Sequence, residues 1–494
     1  MRLVLLAGLI LLAMPLQAQD HFLDASFGAN GIVLDNPHVS PGSGGVINAL
    51  LPLANGKLLA AGGYNGKAAV MRYTANGIPD NDFGMNGIYS GPNQSTANAM
   101  LIQPDGKIVI EGWGLHTNSM ALTIRLNADG SPDNTFGLLG VVYTNFAFQT
   151  TDLGDALALQ ADGKIIIAGV YNTGFITLAR LKPDGVVDSS FGLNGVTITN
   201  VAGKPTGVAV LPDGKIILGG DRVPQYQFIA MRFLSNGTAD TSFNHTGLSA
   251  TNVGDSYPVA HAFQLQSDGK VLVGGTGTFG NQGANFAVAR FMQDGGIDPS
   301  YGHQGIATTD KNSGDDLRAM YLLPDGKLLV AGGTAPASNY IFAVARIDST
   351  GNPDHSFGDD GWITTFLLDS NDYVYAVAAQ PDGKAIFAGT VHNDVTTNDE
   401  IALARYNISA NAVASLPNIS FSTFLFPNPA SGTLYADPSK HICDIVAYDL
   451  FGKSIHLSSS RDGAIDIHAL SAGLYLFKII TEKASPIYQK ITVR

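Results

Sequence analysis

The chain has 494 residues, of which 45% are hydrophobic, only 14% are charged and 58 are glycine. That balance is too apolar for a disordered chain and suits many short strands joined by tight turns. The net charge of −13 argues against a nucleic-acid partner, which needs a basic face to release counterions, and against docking on anionic lipid.

In chain order, the first segment reads as a signal peptide over residues 1–18. Arg2 supplies the positive charge, Leu3 to Met14 is an apolar run, and Leu16-Gln17-Ala18 ends on a small residue suited to cleavage. No later segment approaches the roughly 20 apolar residues of a membrane-spanning helix. The single cysteine, Cys443, rules out an intramolecular disulfide and is expected to be a small buried hydrophobe.

From residue 19 to 407 three short motifs recur in fixed order, each seven times. The first is Asp/Asn-Gly-Lys before an apolar run and a small residue; its lysines are Lys57, Lys107, Lys164, Lys215, Lys270, Lys327 and Lys384. The second is an alternating segment ending in arginine, and the third is Asp-x-x-Phe-Gly-x-x-Gly with drift, its aromatics running from Phe27 to Phe357. Each unit holds four strand-like runs, A to D. In one unit these are Ala156 to Gln160, Lys164 to Ala168, Ile176 to Leu181 and Gly195 to Thr199, with Asp-Gly turns in between. Four antiparallel strands repeated at this period predict a β-propeller, with an open solenoid as the alternative. The array opens on the third motif at Asp24 and closes on the second at Arg405. In a closed ring the first D strand, Gly31 to Asp35, completes the seventh blade; a solenoid would leave it without a partner. The predicted fold class is therefore all-β: a seven-bladed β-propeller whose N-terminal strand closes the last blade.

Arginine of the second motif stands eight residues before aspartate of the third in Arg72/Asp80, Arg125/Asp133, Arg180/Asp188, Arg232/Asp240, Arg290/Asp298 and Arg346/Asp354, and Arg405 would meet Asp24 across the closure. These read as structural pairs bracing the C–D turns, since catalysis has no use for seven copies. The repeat resembles the delta-60 repeat family of bacterial surface and secreted proteins, over about residues 20 to 407. That resemblance implies repeats of this length and brings no catalytic residues with it. Departures are Asn55 for Asp, Asn244 for Gly and Tyr301 for Phe.

Residues 408–424 lack the repeat and read as a linker. Beyond them, over 425–494, stand Phe426-Pro427-Asn428-Pro429, Tyr448-Asp449-Leu450-Phe451-Gly452-Lys453, Leu470-Ser471-Ala472-Gly473-Leu474-Tyr475 and a terminal Lys490-Ile491-Thr492-Val493-Arg494. Alternating apolar residues around Gly and Asp turns predict a small C-terminal β-sandwich. The set resembles the type A C-terminal sorting domain of the type IX secretion system. The resemblance implies the secretion machinery as a partner, and release or attachment at the outer-membrane surface of a Gram-negative bacterium.

Searches for chemistry find no zincin, phosphate-loop, nucleophile-elbow or paired-cysteine zinc pattern, so no catalytic residue, metal site or cofactor is assigned. Geometry narrows the search further. The A–B and C–D turns carry the motifs on one face, while the D–A and B–C connections vary on the other. Examples are Tyr64-Asn65, Trp113 to His116, Asp221 to Tyr226, Asp369 to Tyr373 and His392 to Glu400. Eight residues before each motif lysine the residue is small, and one earlier it is polar: Asn48, Asn98, Asp155, Thr206, His261, Arg318 and Tyr375. These seven are expected either to ring the channel mouth or to cap the inner strands in contact with water. The leading reading is a secreted or cell-surface, non-enzymatic binding module for an extracellular glycan or protein. The alternatives are an enzyme acting on extracellular polysaccharide, with Asp155, His261 and Arg318 as its first candidates, and a structural spacer of the surface layer.

Overall fold

The computed structural model describes residues 22–35, 44–408 and 425–493, apart from 148–150, 172–173, 281–282, 313, 337–338, 368–369, 394–397, 427–429, 437–441, 449–453, 459, 461–463 and 482–486. The leader expected at 1–18 lies outside them, as does most of the expected linker and of the segment Tyr448 to Lys453. The chain forms two compact units, Met1–Ala410 and Asn411–Arg494.

Among the described residues the first unit is built of five four-stranded sheets and one of seven strands. The first sheet shows the plan: Gly45–Pro52, Leu58–Tyr64, Lys67–Tyr73 and Ile88–Asn93, as strands A to D, pair antiparallel in chain order. Strand B is apolar on both faces because a neighbouring blade covers each one; Leu58, Leu59, Ala60 and Ala61 are all buried. Strands outrun their sequence-based limits toward the variable face, strand A of the third blade spanning Asp152–Leu159. The seven-stranded sheet is two blades sharing the strand Val196–Val210. Its first part pairs with Phe175–Leu181 and its second with Ile216–Arg222. The sequence predicted a D strand ending at Thr199. Here the short D–A connection stays extended with Val201 buried, so no turn separates the blades. Counted with that strand divided, the sheets make seven blades.

The ring is closed. Ile32–Asp35 pairs with Asn398–Asn407, Ile32 opposite Ala404 and Asp35 opposite Ile401, and completes the last blade. Each A strand packs against the A strands of the two adjacent blades, the first against the last included, so the A strands lie innermost. Ile47, Ala60 and Met71 of the first blade share one buried cluster with Ile386 and Leu403 of the last.

The motif face carries a latch repeated in every blade. The seven Arg–Asp pairs lie at 2.5–2.9 Å. The motif lysine from the A–B turn joins the same aspartate at 2.7–3.3 Å, which places both turns on one face. Each arginine also donates through Nη1 to a backbone carbonyl of the adjoining blade, from Arg72 to Ala128 at 2.9 Å round to Arg405 and Ala75 at 2.6 Å. Its guanidinium lies 4.1–4.8 Å from the centroid of the motif aromatic. The pairs therefore brace blade against blade as well as the C–D turn. At the departure Asn244, the backbone keeps the left-handed φ of 45° that glycine adopts elsewhere, a conformation asparagine tolerates. Ile408, expected in the linker, is buried, and its carbonyl accepts Arg346 at 2.7 Å.

Among the described residues the second unit has one sheet of three strands and one of four. Leu425, Leu434 and Ile465 of the first share a buried cluster with Ile445, Phe477 and Ile491 of the second, giving a small β-sandwich. Cys443 is exposed, contrary to the sequence expectation. It falls at a register shift between Ile442 and Asp444, which releases it from the inward face.

Candidate functional site

On the innermost strands every blade breaks register at the same position of the repeat. In the first, Ile47 opposes Gly62 and Ala49 opposes Ala61, so Asn48 is the extra residue of a β-bulge. The same skip falls at Asn98, Asp155, Thr206, His261, Arg318 and Tyr375. A bulge re-aims a side chain without breaking the sheet. All seven side chains line one cavity of about 300 Å³, together with Lys204, Pro205 and Ala260.

The bulge has a sequence signal that was overlooked. Five residues after each motif lysine stands a glycine: Gly62, Gly112, Gly169, Gly220, Gly275, Gly332 and Gly389. A Cβ at any of them would collide with the carbonyl oxygen of the residue two before the bulged one, Val46 for Gly62 and Tyr373 for Gly389. Glycine here makes room for the folded-in backbone of strand A.

The seven side chains differ in what holds them. Asn48 donates to the carbonyl of Ala97 at 2.9 Å and Asn98 to that of Gly154 at 2.8 Å, each in the next blade; Thr206 donates to Gly219 at 3.3 Å. Arg318 is gripped by Asp316 through Nε at 2.9 Å and Nη2 at 2.6 Å. Its guanidinium lies 5.9 Å from the Tyr375 ring centroid and 5.7 Å from that of Tyr373. His261 Nε2 is 3.9 Å from Asp316, and Lys204 is 3.2 Å from Asp155. Lys204, Asp316 and Tyr373 each precede a bulged residue by two, where strand alternation puts them on the same side; that rule, applied to the sequence, would have found them.

Burial dominates the titration of the site. It lifts the Asp155 carboxyl to about 6, against the pull of Lys204. Burial, with the charge of Arg318, holds His261 well below its ordinary value, so its imidazole is neutral at pH 7. Asp155 Oδ2 is buried without a hydrogen-bond partner among the described residues. Behind it stands a group the sequence reading did not single out. Glu111 is fully buried, takes a 2.6 Å bond from Thr123, and presses against Gly154, beside Asp155. Burial, then the charge of Asp155, pushes its carboxyl up to about 8 against the Thr123 bond, so it is protonated at pH 7. Its counterparts four residues after the motif lysine are Ala61, Ala168, Gly219, Gly274, Ala331 and Ala388, so the anomaly was visible in the sequence. Of the variable loops named above, Asp369 and residues 394–397 lie outside the described residues. Among the described residues no group of three or more His, Cys, Asp or Glu is placed to hold a metal ion.

Two family models match the chain. One, described as a domain of unknown function (DUF5122) β-propeller, matches six stretches, 53–83, 103–136, 160–191, 211–243, 266–301 and 323–357. The other, a secretion system C-terminal sorting domain, matches 424–494. The chain carries DUF5122 β-propeller repeats and a secretion-system C-terminal sorting domain. The six propeller stretches each run from an A–B turn to the third-motif aromatic; in the seventh blade that aromatic, Phe27, lies at the other end of the sequence. The sorting domain marks the propeller for type IX secretion, hence for contact with that machinery, and for the cell surface or extracellular space of Gram-negative bacteria. No curated protein sequence matches the chain. Among solved structures it is similar to a streptogramin B lyase, at 13% identity over 76% of this chain and 98% of that one, with a TM-score of 0.44. It is also similar to hydrazine synthase of Kuenenia stuttgartiensis, at 11% over 77% and 100%, TM-score 0.49. A third is the polysaccharide lyase Uly1, at 11% over 79% and 95%, TM-score 0.42. None of these likenesses bears on what the propeller binds.

Proposed function

We propose that the propeller is an exported binding module that takes a hydroxyl-rich ligand, the end of an extracellular glycan, in the axial cavity. One observation carries this reading: seven bulges aim seven polar side chains of mixed chemistry into a single cavity. The opposite face repeats one latch in every blade. A scaffold that is constant where it holds and varied where it converges has the layout of a recognition site. Amide, hydroxyl, carboxyl, imidazole, guanidinium and phenol groups offer donors and acceptors in many directions, which suits a sugar ring better than an apolar molecule.

The test is a thermal-unfolding screen of the full chain against glycans. A ligand at 100 times its dissociation constant stabilises the fold by roughly 2.7 kcal/mol. The expected result is a shift with one glycan class that disappears on Asp155→Asn and on His261→Ala. A shift unaffected by either substitution places the ligand elsewhere.

A second reading, cleavage of that glycan, rests on Asp155. A carboxyl lifted to about 6, in the same cavity as a neutral imidazole, is suited to proton transfer near neutral pH. Release of reducing ends or unsaturated products from the glycan that binds, lost in Asp155→Asn, would establish it.

A further inference from the structure

The variable face holds a second feature, away from the axis. Tyr226, in the B–C connection of the fourth blade, and Tyr257, at the head of the fifth blade's A strand, meet edge to face with ring centroids 4.7 Å apart at 80°. Both are exposed, Tyr257 to 71%. Both have left-handed backbones, φ 51° and 45°. A bulky residue in that region is uncommon and costs conformational energy. The contact with the Tyr226 ring is the packing that offsets it at Tyr257, most of which stays exposed. A register shift between Ser256 and Val259 lifts Tyr257 out of the ladder. The rings border a cleft of about 440 Å³ whose other walls include Gln225, Asn252, Asp255 and Ser256. The polar wall is ordered: Arg222 donates to Gln227 at 2.7 Å, and Gln227 to Asn252 at 2.8 Å.

We infer that this cleft is a second saccharide subsite, and that the ligand is an oligosaccharide lying from the axial cavity out over the Tyr257 ring. The inference rests on the glycan reading of the axial cavity and adds the ligand's length and path. Rigid aromatic faces beside amide and carboxylate edges match a sugar ring, which presents C–H groups on its face and hydroxyls round its rim. The two sites share one strand. Tyr257 precedes His261 by four residues, at most about 13 Å of extended chain, so a few sugar units bridge them. The chain's net charge of −13 and the carboxylate of Asp255 favour a neutral glycan over a polyanionic one.

Calorimetric titration of the full chain tests this with cellohexaose, mannohexaose and chitohexaose, each against its disaccharide. The variants are Tyr257→Gly, which keeps the left-handed backbone while deleting the ring, and Arg318→Met at the axis. In the wild type one hexasaccharide should bind about tenfold more tightly than its disaccharide. Tyr257→Gly should bring the hexasaccharide down to the disaccharide's affinity and leave the disaccharide unchanged; Arg318→Met should weaken both. Equal binding of the two lengths by the wild type, or a length preference that survives Tyr257→Gly, overturns the second subsite and leaves the axial reading standing. No binding of any saccharide overturns both. Binding of a protein lost in Tyr257→Gly, with no response to saccharides, would make the cleft a protein interface instead.

Discussion

Glu111 gives the sharpest quantitative test of the site's electrostatics. A carboxyl whose folded pKa is raised is neutral in both states at low pH and costs nothing there. As pH rises past the unfolded value of 4.5 the unfolded chain ionises while the folded one stays protonated, up to about 8. Stability is therefore fully present below pH 4.5, falls by about 1.4 kcal/mol per pH unit above it, and levels off above pH 8. At pH 7 the loss amounts to about 3 kcal/mol, and by pH 8 to between about 4 and 5 kcal/mol. Glu111→Gln keeps the shape and an acceptor for Thr123 but cannot titrate. Wild type and variant should melt together at pH 4.5 and separate steadily as pH rises, the variant being the more stable. For a unit of about 400 residues, 1 kcal/mol shifts the melting temperature by roughly 1 °C, so the curves should stand about 4–5 °C apart at pH 8 in scanning calorimetry. Asp155 and Asp315, both lifted to about 6, titrate in both proteins and cancel in the difference. Parallel curves from pH 4.5 to 8 would mean that Glu111 ionises in the folded protein as readily as in the unfolded one, and that burial does not raise its carboxyl.

Gly169→Ala, opposite the Asp155 bulge, should lower stability by about 1–3 kcal/mol in urea titration, because its Cβ meets the Leu153 carbonyl. Gly63→Ala, whose Cβ would meet only the Thr96 side chain at 3.3 Å and the tip of Val46 at 3.4 Å, should cost much less. Arg405→Met removes the guanidinium that joins Asp24, Ala75 and the Phe27 ring, leaving a largely buried carboxylate with Lys384 as its one cation among the described residues and Ser26 as its other hydrogen-bond donor. It should cost about 3 kcal/mol, and amide exchange should rise first in the strand Ile32–Asp35. Burial works to raise the latch carboxyls, but in Asp188 hydrogen bonds from Ser190 and the charges of Arg180 and Lys164 outweigh it and hold it near 2. The other six are lowered as well. Depressed folded values stabilise the propeller above the unfolded aspartate value near 4, and that stability is withdrawn as pH falls through the folded values. Circular dichroism should show acid unfolding as one steep transition below pH 4; a gradual loss starting at pH 5 would contradict the latch.

The repeated residues were legible in the sequence, and the unrepeated ones were not. Six identical arginine–aspartate spacings could be read as pairs because each copy vouches for the others. The displaced third motif at Asp24 gave the closure by the same logic. The polar position before the small residue was legible as a set of seven, but the bulge that turns it to the axis was not, although the glycine five residues after each lysine marks it. What escaped were the singular residues. Glu111 stands alone among six alanines and glycines, and its effect depends on the Asp155 carboxyl of the next blade. Tyr226 and Tyr257 come together only because a register shift lifts one strand head beside a neighbouring loop, and neither residue's local sequence announces the other.

That division has a physical cause. A ring of seven blades closes only if each blade subtends the same angle, so residues at the interfaces and latch are held to one solution and repeat. The bulged positions open on a cavity, and although Asn48 and Asn98 also bond to the next blade, ring closure does not fix which polar side chain stands there. Their one structural requirement, room for the folded-in backbone, is met by the glycine across the ladder. The propeller thus separates what sets its geometry from what sets its chemistry. The seven axial side chains can then change singly with little effect on the latch, which is the condition under which one scaffold takes on different ligands.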